Sequence, residues 1–427
     1  MRIFYIVFTV ILIINFNYKR SIKKCNKKFE VVHIRKLFFS SSFFLFMGNW
    51  LGMTAINWYV YDLYHSATYL GWINFVRLIP IALFSVYAGK LCDLHPRIKL
   101  MKSYSFWGLA VTTLLAIYVV FITPSFFIFL LFSFVRGVIS ALETPNRNTL
   151  LSDIDTNNQI SKLISMNSFV MNVCRSTGPA VAGFLIAGGH IELTFTMQAV
   201  CSLIAFILVL PMKDQTMKKR NEKKKASWEQ IVQYFSHDHM GRNIFITSMI
   251  TMAFGFSYTS VLPVLVSHQF TGKAEVFGIA MSSAAIGAII ATIILPKVLE
   301  YISEIRIYYI SLVLFSISIA LLIISNTFVF FILLFSIGLF GQLLRSSNRV
   351  YFQNNVCEEE RGLMLSVVLM DRGMIPLGSI IVSYAIEYVG ISKTFVMMGT
   401  LCIIPFAFQY IKVKQQKGKV KNFVHSK

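Results

Sequence analysis

Charged residues are scarce in this sequence: they make up 14% of its 427 positions, whereas apolar residues make up 56%. A soluble globular chain carries about 25% charged residues, so this one has too few to cover a water-facing surface. Cysteine is also rare, with six scattered copies and no CxxC spacing, which argues against a disulfide framework and against a metal site. These shortages exclude a soluble enzyme, a secreted disulfide scaffold and a disordered chain.

Acidic residues are outnumbered by basic ones, 19 to 40. Residues 17–36, 213–242 and 412–427 hold 22 of the basic residues and five of the acidic ones, and hydrophobic stretches separate these three segments. Cytoplasmic segments of multi-pass membrane proteins carry such an excess of Lys and Arg. The pattern predicts a multi-pass plasma-membrane protein with both termini in the cytoplasm. It favours contact with anionic lipid over binding to nucleic acid.

The hydrophobic stretches are long enough to cross about 30 Å of hydrocarbon as helices. The connections between them alternate between basic and nearly neutral, which fixes their predicted orientation. Twelve spans are predicted, near 37–63, 68–91, 100–122, 126–145, 163–187, 193–212, 243–267, 276–297, 306–324, 327–345, 363–386 and 394–412. The run at 2–16 is short for a span and lacks a signal-peptide cleavage site, so we interpret it as an interfacial helix. A thirteenth span, with the N-terminus outside, is the alternative.

Residue patterns recur about 200 positions apart. Asn146-Arg147 reappears as Asn348-Arg349, and Arg175-x-x-x-Pro179 reappears as Arg372-x-x-x-Pro376. The repeat predicts an all-α integral membrane fold in which twelve transmembrane helices form two pseudo-symmetric six-helix halves. Secondary transporters that rock about a midplane site are built this way. The predicted domains are an apolar segment with a basic tail (1–36), a first bundle (37–212), a linker with an amphipathic helix (213–242), a second bundle (243–412) and a basic tail (413–427).

The stretch from Gly89 to Lys99 (GKLCDLHPRIK) resembles the G-x-L-x-D-x-x-G-R signature of the major facilitator superfamily. It departs from that signature at Leu94 and Pro96, where Arg and Gly are usual. The resemblance implies the major facilitator fold. It also implies a conformational gate, in which a carboxylate at the end of one helix pairs with Arg or Lys side chains beyond the turn. The residues that match are Gly89, Asp93, Arg97 and Lys99.

Gly178-Pro179-x-x-x-Gly183, in the predicted fifth span, is similar to the antiporter motif of exporters in this superfamily. Small residues let helices approach closely and Pro bends a helix, so these residues and Arg175 are assigned to the same gate. The wider pattern, including Trp58-Tyr59-Val60-Tyr61-Asp62 and Pro145-Asn146-Arg147, resembles the branch with macrolide efflux proteins and the enterobactin exporter. The resemblance implies a proton-coupled exporter; an importer of the same fold is the alternative.

Ionisable residues inside predicted spans are functional candidates, because burying them in a membrane is costly. Arg77, Arg136, Arg175 and Arg372 lie at mid-span depth, where Asp371 is the one acid. This positive surplus predicts an anionic substrate such as a carboxylate- or catecholate-type siderophore, bound by Arg77, Arg136 and Arg372. A multidrug pump for lipophilic cations or macrolides is the second hypothesis.

Proton coupling requires a group that gains and loses a proton as its surroundings change. Asp371 is the first candidate and Asp62 the second. The sequence shows no clustered nucleophile, no HxxxH spacing and no GxxxxGK[ST] motif. It therefore predicts no catalytic residue, cofactor or metal. The expected partners are a small-molecule substrate, protons and the bilayer, and the expected state is a monomer.

Overall fold

A computed structural model describes residues 27–154, 160–213, 228–270, 274–324, 326–356, 364, 367–368 and 370–406. These residues are almost entirely helical, and no strand occurs among them. The helices are α1 (Lys27–Tyr64), α2 (Ala67–Leu94), α3 (Arg97–Phe121), α4 (Phe126–Asp153), α5 (Ile160–Ala187), α6 (Ile191–Val209), α7 (Trp228–His237), α8 (His239–Ile250), α9 (Tyr258–Phe270), α10 (Ala274–Tyr301), α11 (Glu304–Ala320), α12 (Thr327–Asn355), α13 (Met374–Val389) and α14 (Ile391–Phe406). The π-helical turn Thr251–Gly255 follows α8, and the 3₁₀ turn Met370–Gly373 precedes α13.

Eight helical segments of the described chain are long and apolar enough to cross a membrane. They are α3, α4, α5, α6, α8 together with α9 (His239–Phe270), α10, α11 and α12. The helix α14 is apolar but shorter. The all-helical, multi-pass class is thereby confirmed, whereas the count of twelve spans stays a prediction. The run at 2–16 lies outside the described residues.

Two predicted helix ends are wrong. The spans predicted to end near residues 145 and 345 continue as α4 to Asp153 and as α12 to Asn355. Arg147, predicted in a connection, is a buried residue of α4. Its Nε donates to Glu143 Oε1 at 3.0 Å, and its Nη1 donates to the hydroxyls of Ser41 and Ser42 on α1. The helix can therefore continue because Arg147 finds partners for its Nε and Nη1 inside the bundle.

Breaking this buried ion pair is expected to destabilise the protein strongly. Arg147→Leu leaves the Glu143 carboxylate buried without its partner, which costs about 3–5 kcal/mol in the free energy of unfolding. The double variant Glu143→Leu/Arg147→Leu removes both charges and is expected to lose less. Unfolding followed in detergent compares the two variants. Equal losses would contradict an origin in the uncompensated charge.

The helices pack in pairs on both sides of the central linker. Before the linker, α4 packs against α2 and α3; after it, α12 packs against α10 and α11. Two further pairs, α2 with α13 and α5 with α10, join the earlier segments to the later ones. The face with the connections at 65–66, 122–125 and 188–190 is named the short-loop face. The opposite face, with connections at 95–96 and 302–303, is named the basic face.

The pairs that join the two parts of the chain are closed at the short-loop face. Glu387, near the end of α13, accepts hydrogen bonds from the start of α2: from the Ser66 hydroxyl, from Thr68 Oγ1 at 2.6 Å and from the Thr68 amide at 3.0 Å. A carboxylate at a helix N-terminus satisfies free backbone donors and complements the helix dipole. This contact holds α2 and α13 together at that face.

The linker helix α7 lies in the segment where the sequence predicts a short amphipathic helix. Phe235 stacks on Phe245 of α8, with ring centroids 5.1 Å apart, and also packs against Phe352 of α12. Val232, another apolar residue of α7, is 66% exposed. The side of α7 that packs against the bundle is therefore centred on Phe235. It lies next to the start of α8 and the end of α12, at the basic face.

Candidate functional site

A cavity of about 420 Å³ lies at the centre of the helices, bordered mainly by α1, α2, α3 and α4. Its charged lining residues are Arg77 of α2 and Arg136 of α4, and no Asp or Glu is among the described lining residues. Much of the remaining wall is apolar, with Phe46, Trp50, Ile56, Leu78 and Phe132. We name this space the first cavity. It combines apolar surface with two positive charges.

Neutral amides hold both arginines of the first cavity. Arg136 Nη2 donates to Asn49 Oδ1 of α1, whereas its buried Nη1 has no hydrogen-bond partner among the described residues. Arg77 Nη2 lies 3.4 Å from Asn74 Oδ1, and Asn74 Nδ2 donates to Asn57 Oδ1 at 3.1 Å. Amide partners orient a guanidinium but do not neutralise its charge. Both charges thus remain available to an anion in the first cavity.

A second cavity of about 200 Å³ adjoins the first and shares four lining residues with it: Trp50, Met53, Thr259 and Ile375. Its charged lining residues are Arg175 and Arg345. Nε and Nη2 of Arg175 are buried and have no hydrogen-bond partner in the described part of the chain. The Arg345 guanidinium lies 4.5 Å from the Phe256 ring centroid, and its Nη2 donates to Gln342 Oε1 at 2.8 Å.

Asp371 lies in a third, narrower space of about 10 Å³ together with Arg345, Arg349 and Arg372. Asp371 Oδ2 accepts a hydrogen bond from Ser248 Oγ at 2.5 Å. The same Ser248 oxygen accepts from Asn348 Nδ2 at 3.1 Å. The carboxylate is therefore held by a hydroxyl on α8 and surrounded by cationic side chains.

The candidate site residues do not converge on one cavity. Arg77 and Arg136 share the first cavity, but Arg372 lies beside Asp371 in the third space. Asp62 is exposed near the short-loop end of α1 and lines none of the three spaces. Sequence reasoning placed Arg345 at the very end of the predicted span 327–345 and missed its place in the cavity wall. The signal that could have found it is the repeated Asn-Arg pair, because Arg147 and Arg349 mark the same helix turn in both copies.

The predicted gate region joins two helix ends at the basic face. Arg97 Nη1 pairs with Asp153 Oδ1 at 2.5 Å, and Asn146 Nδ2 donates to the Arg97 carbonyl at 2.9 Å. These contacts tie the start of α3 to the end of α4. The Asp93 side chain lies outside the described residues, Lys99 is exposed, and Gly89 lies in the last turns of α2. Asp153, at the end of α4, is thus a carboxylate partner of Arg97 that the sequence motif did not predict.

The glycines of the α5 motif lie at close helix contacts. A Cβ added at Gly178 would lie 2.7 Å from Trp50 Cβ of α1, and one at Gly183 would lie 2.7 Å from the Cα of Gly278 on α10. Pro179 lies inside α5 between these contacts. Ser282 of α10 donates to the Ser176 carbonyl at 2.6 Å. The motif therefore packs α5 between α1 and α10, while Arg175, one turn earlier, faces the second cavity.

Gly183→Ala is expected to weaken closure of the short-loop face, because the added methyl group cannot fit without separating α5 from α10. A cysteine at Met281, which lines the second cavity, reports the change. We expect an impermeant maleimide added at the short-loop side to label it several-fold faster. Gly188→Ala is the matched control, since its added Cβ would lie 3.3 Å from the nearest atom, in the His190 side chain. Equal labelling rates for Gly183→Ala and the unmodified chain would contradict this role.

The family model described as transmembrane secretion effector matches residues 29–426 of this chain. The chain belongs to this family of major facilitator transporters. The staphyloferrin A transporter of Staphylococcus aureus is 44% identical over 89% of this chain and 96% of its own length. Macrolide efflux protein A of Streptococcus pyogenes is 22% identical over 82% of this chain and 88% of its own. The resemblance inferred from the gate and antiporter motifs is confirmed.

Solved structures of transporters share the fold. A POT family transporter in complex with a thioalcohol-conjugated peptide has a TM-score of 0.71 at 13% identity, covering 89% of this chain and 96% of its own. An inward-facing, unoccupied bacterial homologue of the lysosomal transporter Spinster has a TM-score of 0.69 at 14% identity, covering 88% and 96%. This major facilitator protein is accordingly a multi-pass membrane protein of a family that transports small molecules.

Proposed function

We propose that this transporter exports an anionic siderophore from the cell in exchange for protons. The observation that carries the proposal is the first cavity, where Arg77 and Arg136 face an apolar space without an acidic residue among its described lining. A guanidinium in such a space attracts carboxylate and other anionic oxygens. The 44% identity to a protein named for a siderophore supports the substrate class.

Alternating access between two six-helix halves is the proposed mechanism. Matched packing of α2 with α4 and of α10 with α12 supports the repeat. Because the Glu387 and Gly183 contacts hold helices together at the short-loop face, we propose that the cavities open toward the basic face in this conformation. Rocking of the halves exposes the same arginines to the other side. Asp371, held by Ser248 among arginines, is the proposed group that exchanges the proton.

Export, as opposed to import, is proposed from the Gly178-Pro179-x-x-x-Gly183 motif of α5. The experiment compares a strain lacking the gene with the same strain carrying it on a plasmid. Mass spectrometry measures the iron-free siderophore in cells and in medium. We expect loss of the gene to raise the ratio of cellular to secreted siderophore and the plasmid to restore it. An unchanged ratio, together with slower uptake of the iron-loaded form, would support an importer.

A pump for lipophilic cations is the second candidate function. The similarity to macrolide efflux protein A and the apolar wall around Trp50 and Phe132 favour it. Against it stand Arg77 and Arg136, which would repel a cation. Resistance to ethidium-like cations, measured in a pump-deficient strain, separates the two. Clear cation efflux that survives neutralisation of Arg77 would overturn the anion proposal.

A further inference from the structure

The internal repeat is broken at one position of functional interest. When Asn146-Arg147 of α4 is aligned with Asn348-Arg349 of α12, Glu143 corresponds to Arg345. In the first copy, the carboxylate lies one turn before the arginine and pairs with it at 3.0 Å. In the second copy, Arg345 takes the place of that carboxylate. One copy thus carries a neutral pair and the other carries two positive charges one turn apart.

These positive charges are not neutralised within the described chain. Arg345 and Arg349 share the third space with Arg372, and Arg345 shares the second cavity with Arg175. Asp371 is the one acid among the described residues lining these two spaces, and no described carboxylate lies within 4.0 Å of any of the four guanidiniums. A group of buried like charges is unfavourable unless a counter-ion compensates it. The arrangement therefore favours binding of an anion among these arginines.

We infer that Arg175 and Arg345 form a second anion-binding subsite, which takes another carboxylate group of the transported molecule. The buried Nε and Nη2 atoms of Arg175 have no hydrogen-bond partner in the described structure, and Arg175 is one of the residues that line a cavity of about 200 Å³. Guanidinium donors suit a carboxylate in this setting. Arg349 and Arg372 border a space of about 10 Å³, too small for a carboxylate. They strengthen the positive potential behind the subsite.

The two cavities adjoin each other, because Trp50, Met53, Thr259 and Ile375 border both, and we infer that one molecule spans them. A single molecule can therefore place one acidic end at Arg77 and Arg136 and the other at Arg175 and Arg345. This inference rests on the proposed function for the identity of the ligand as the transported molecule. It narrows the substrate class to elongated molecules with anionic groups at both ends.

The test uses the purified full-length protein in detergent and a series of linear α,ω-dicarboxylates from succinate to dodecanedioate. Calorimetry measures their affinity and that of monocarboxylates with the same number of carbons. We expect dicarboxylate affinity to pass through a maximum at one chain length, about tenfold or more above the matched monocarboxylate, which corresponds to about 1.4 kcal/mol. R345E, which restores the charge pattern of α4, is expected to reduce that maximum to the monocarboxylate level.

Two further variants make the result decisive. R345Q, which only neutralises the charge, is expected to give an intermediate loss and keeps the test usable if R345E does not fold. R242E makes the same charge reversal at an exposed position of α8 and is expected to leave the affinities unchanged. Equal dicarboxylate affinity in the unmodified protein, R345E and R345Q would overturn the subsite. If Arg345-dependent binding is found but cells export no siderophore, the proposed function fails and the subsite stands. If cells export the siderophore and neither Arg345 variant changes that export, the proposed function stands and the subsite fails.

Discussion

Replacing Arg136 with Gln is expected to weaken binding of the proposed anionic substrate about 10- to 100-fold. A hydrogen bond to a charged group contributes about 1.5–3 kcal/mol, and every 1.4 kcal/mol is a factor of about ten in affinity. The effect is large here because Asn49, which orients the Arg136 guanidinium, is neutral. The charge is therefore free to act on the ligand. Calorimetry on purified protein, and export from cells, measure the loss.

Two controls separate a specific contact from a general effect of charge. Arg136→Lys keeps the positive charge and is expected to lose less affinity than Arg136→Gln, although it cannot reproduce the planar guanidinium geometry. Arg242→Gln removes one positive charge from an exposed position on α8 and is expected to bind like the unmodified protein. If Arg136→Gln binds the siderophore as tightly as Arg242→Gln does, then Arg136 does not contact the substrate.

Asp371→Asn is expected to abolish the dependence of transport on a proton gradient while the protein still folds and inserts. The amide oxygen of Asn can accept the hydrogen bond from Ser248 that the carboxylate accepts now, so the local structure is preserved. The amide cannot gain or lose a proton in the range where a carboxyl group does. Inside-out vesicles with an imposed pH gradient and a clamped membrane potential measure this directly.

The two acidic candidates make opposite predictions in that assay. Asp62 is exposed at the short-loop end of α1, away from the arginine-lined spaces. Asp62→Asn is therefore expected to keep the response to the pH gradient. A normal gradient response in Asp371→Asn would show that Asp371 is not the coupling group. If only Asp62→Asn loses the response to the pH gradient, proton coupling is assigned to Asp62 at the short-loop face.

The sequence predicts the class of fold well because the membrane imposes a simple rule. Any backbone within the hydrocarbon must satisfy its own hydrogen bonds, so long apolar runs become helices. The rule does not locate the ends of α4 and α12. Their polar turns read as connections, yet Glu143, Ser41 and Ser42 give Arg147 its partners inside the bundle. Such long-range pairing depends on which helices are neighbours, and hydropathy does not contain that information.

The candidate site, like the fold, could be predicted only in part from the sequence. Depth along a span can be counted from the sequence, and it identified Arg77, Arg136, Arg175 and Asp371 as residues in the interior. Which side of its helix each residue occupies, and against which neighbour, depends on packing. Counting therefore joined Arg372 to the first cavity, although the structure places it beside Asp371. It also left out the ion pair of Arg97 with Asp153, which joins two different helices.

The contact between Gly183 and Gly278 has a mechanical consequence. Two main chains meet there without interposed side chains, so no rotamers interlock across the junction. When α5 and α10 separate, nothing has to be withdrawn from a pocket and reseated on return. The two helices can therefore separate and come together again at this contact without any side-chain rearrangement.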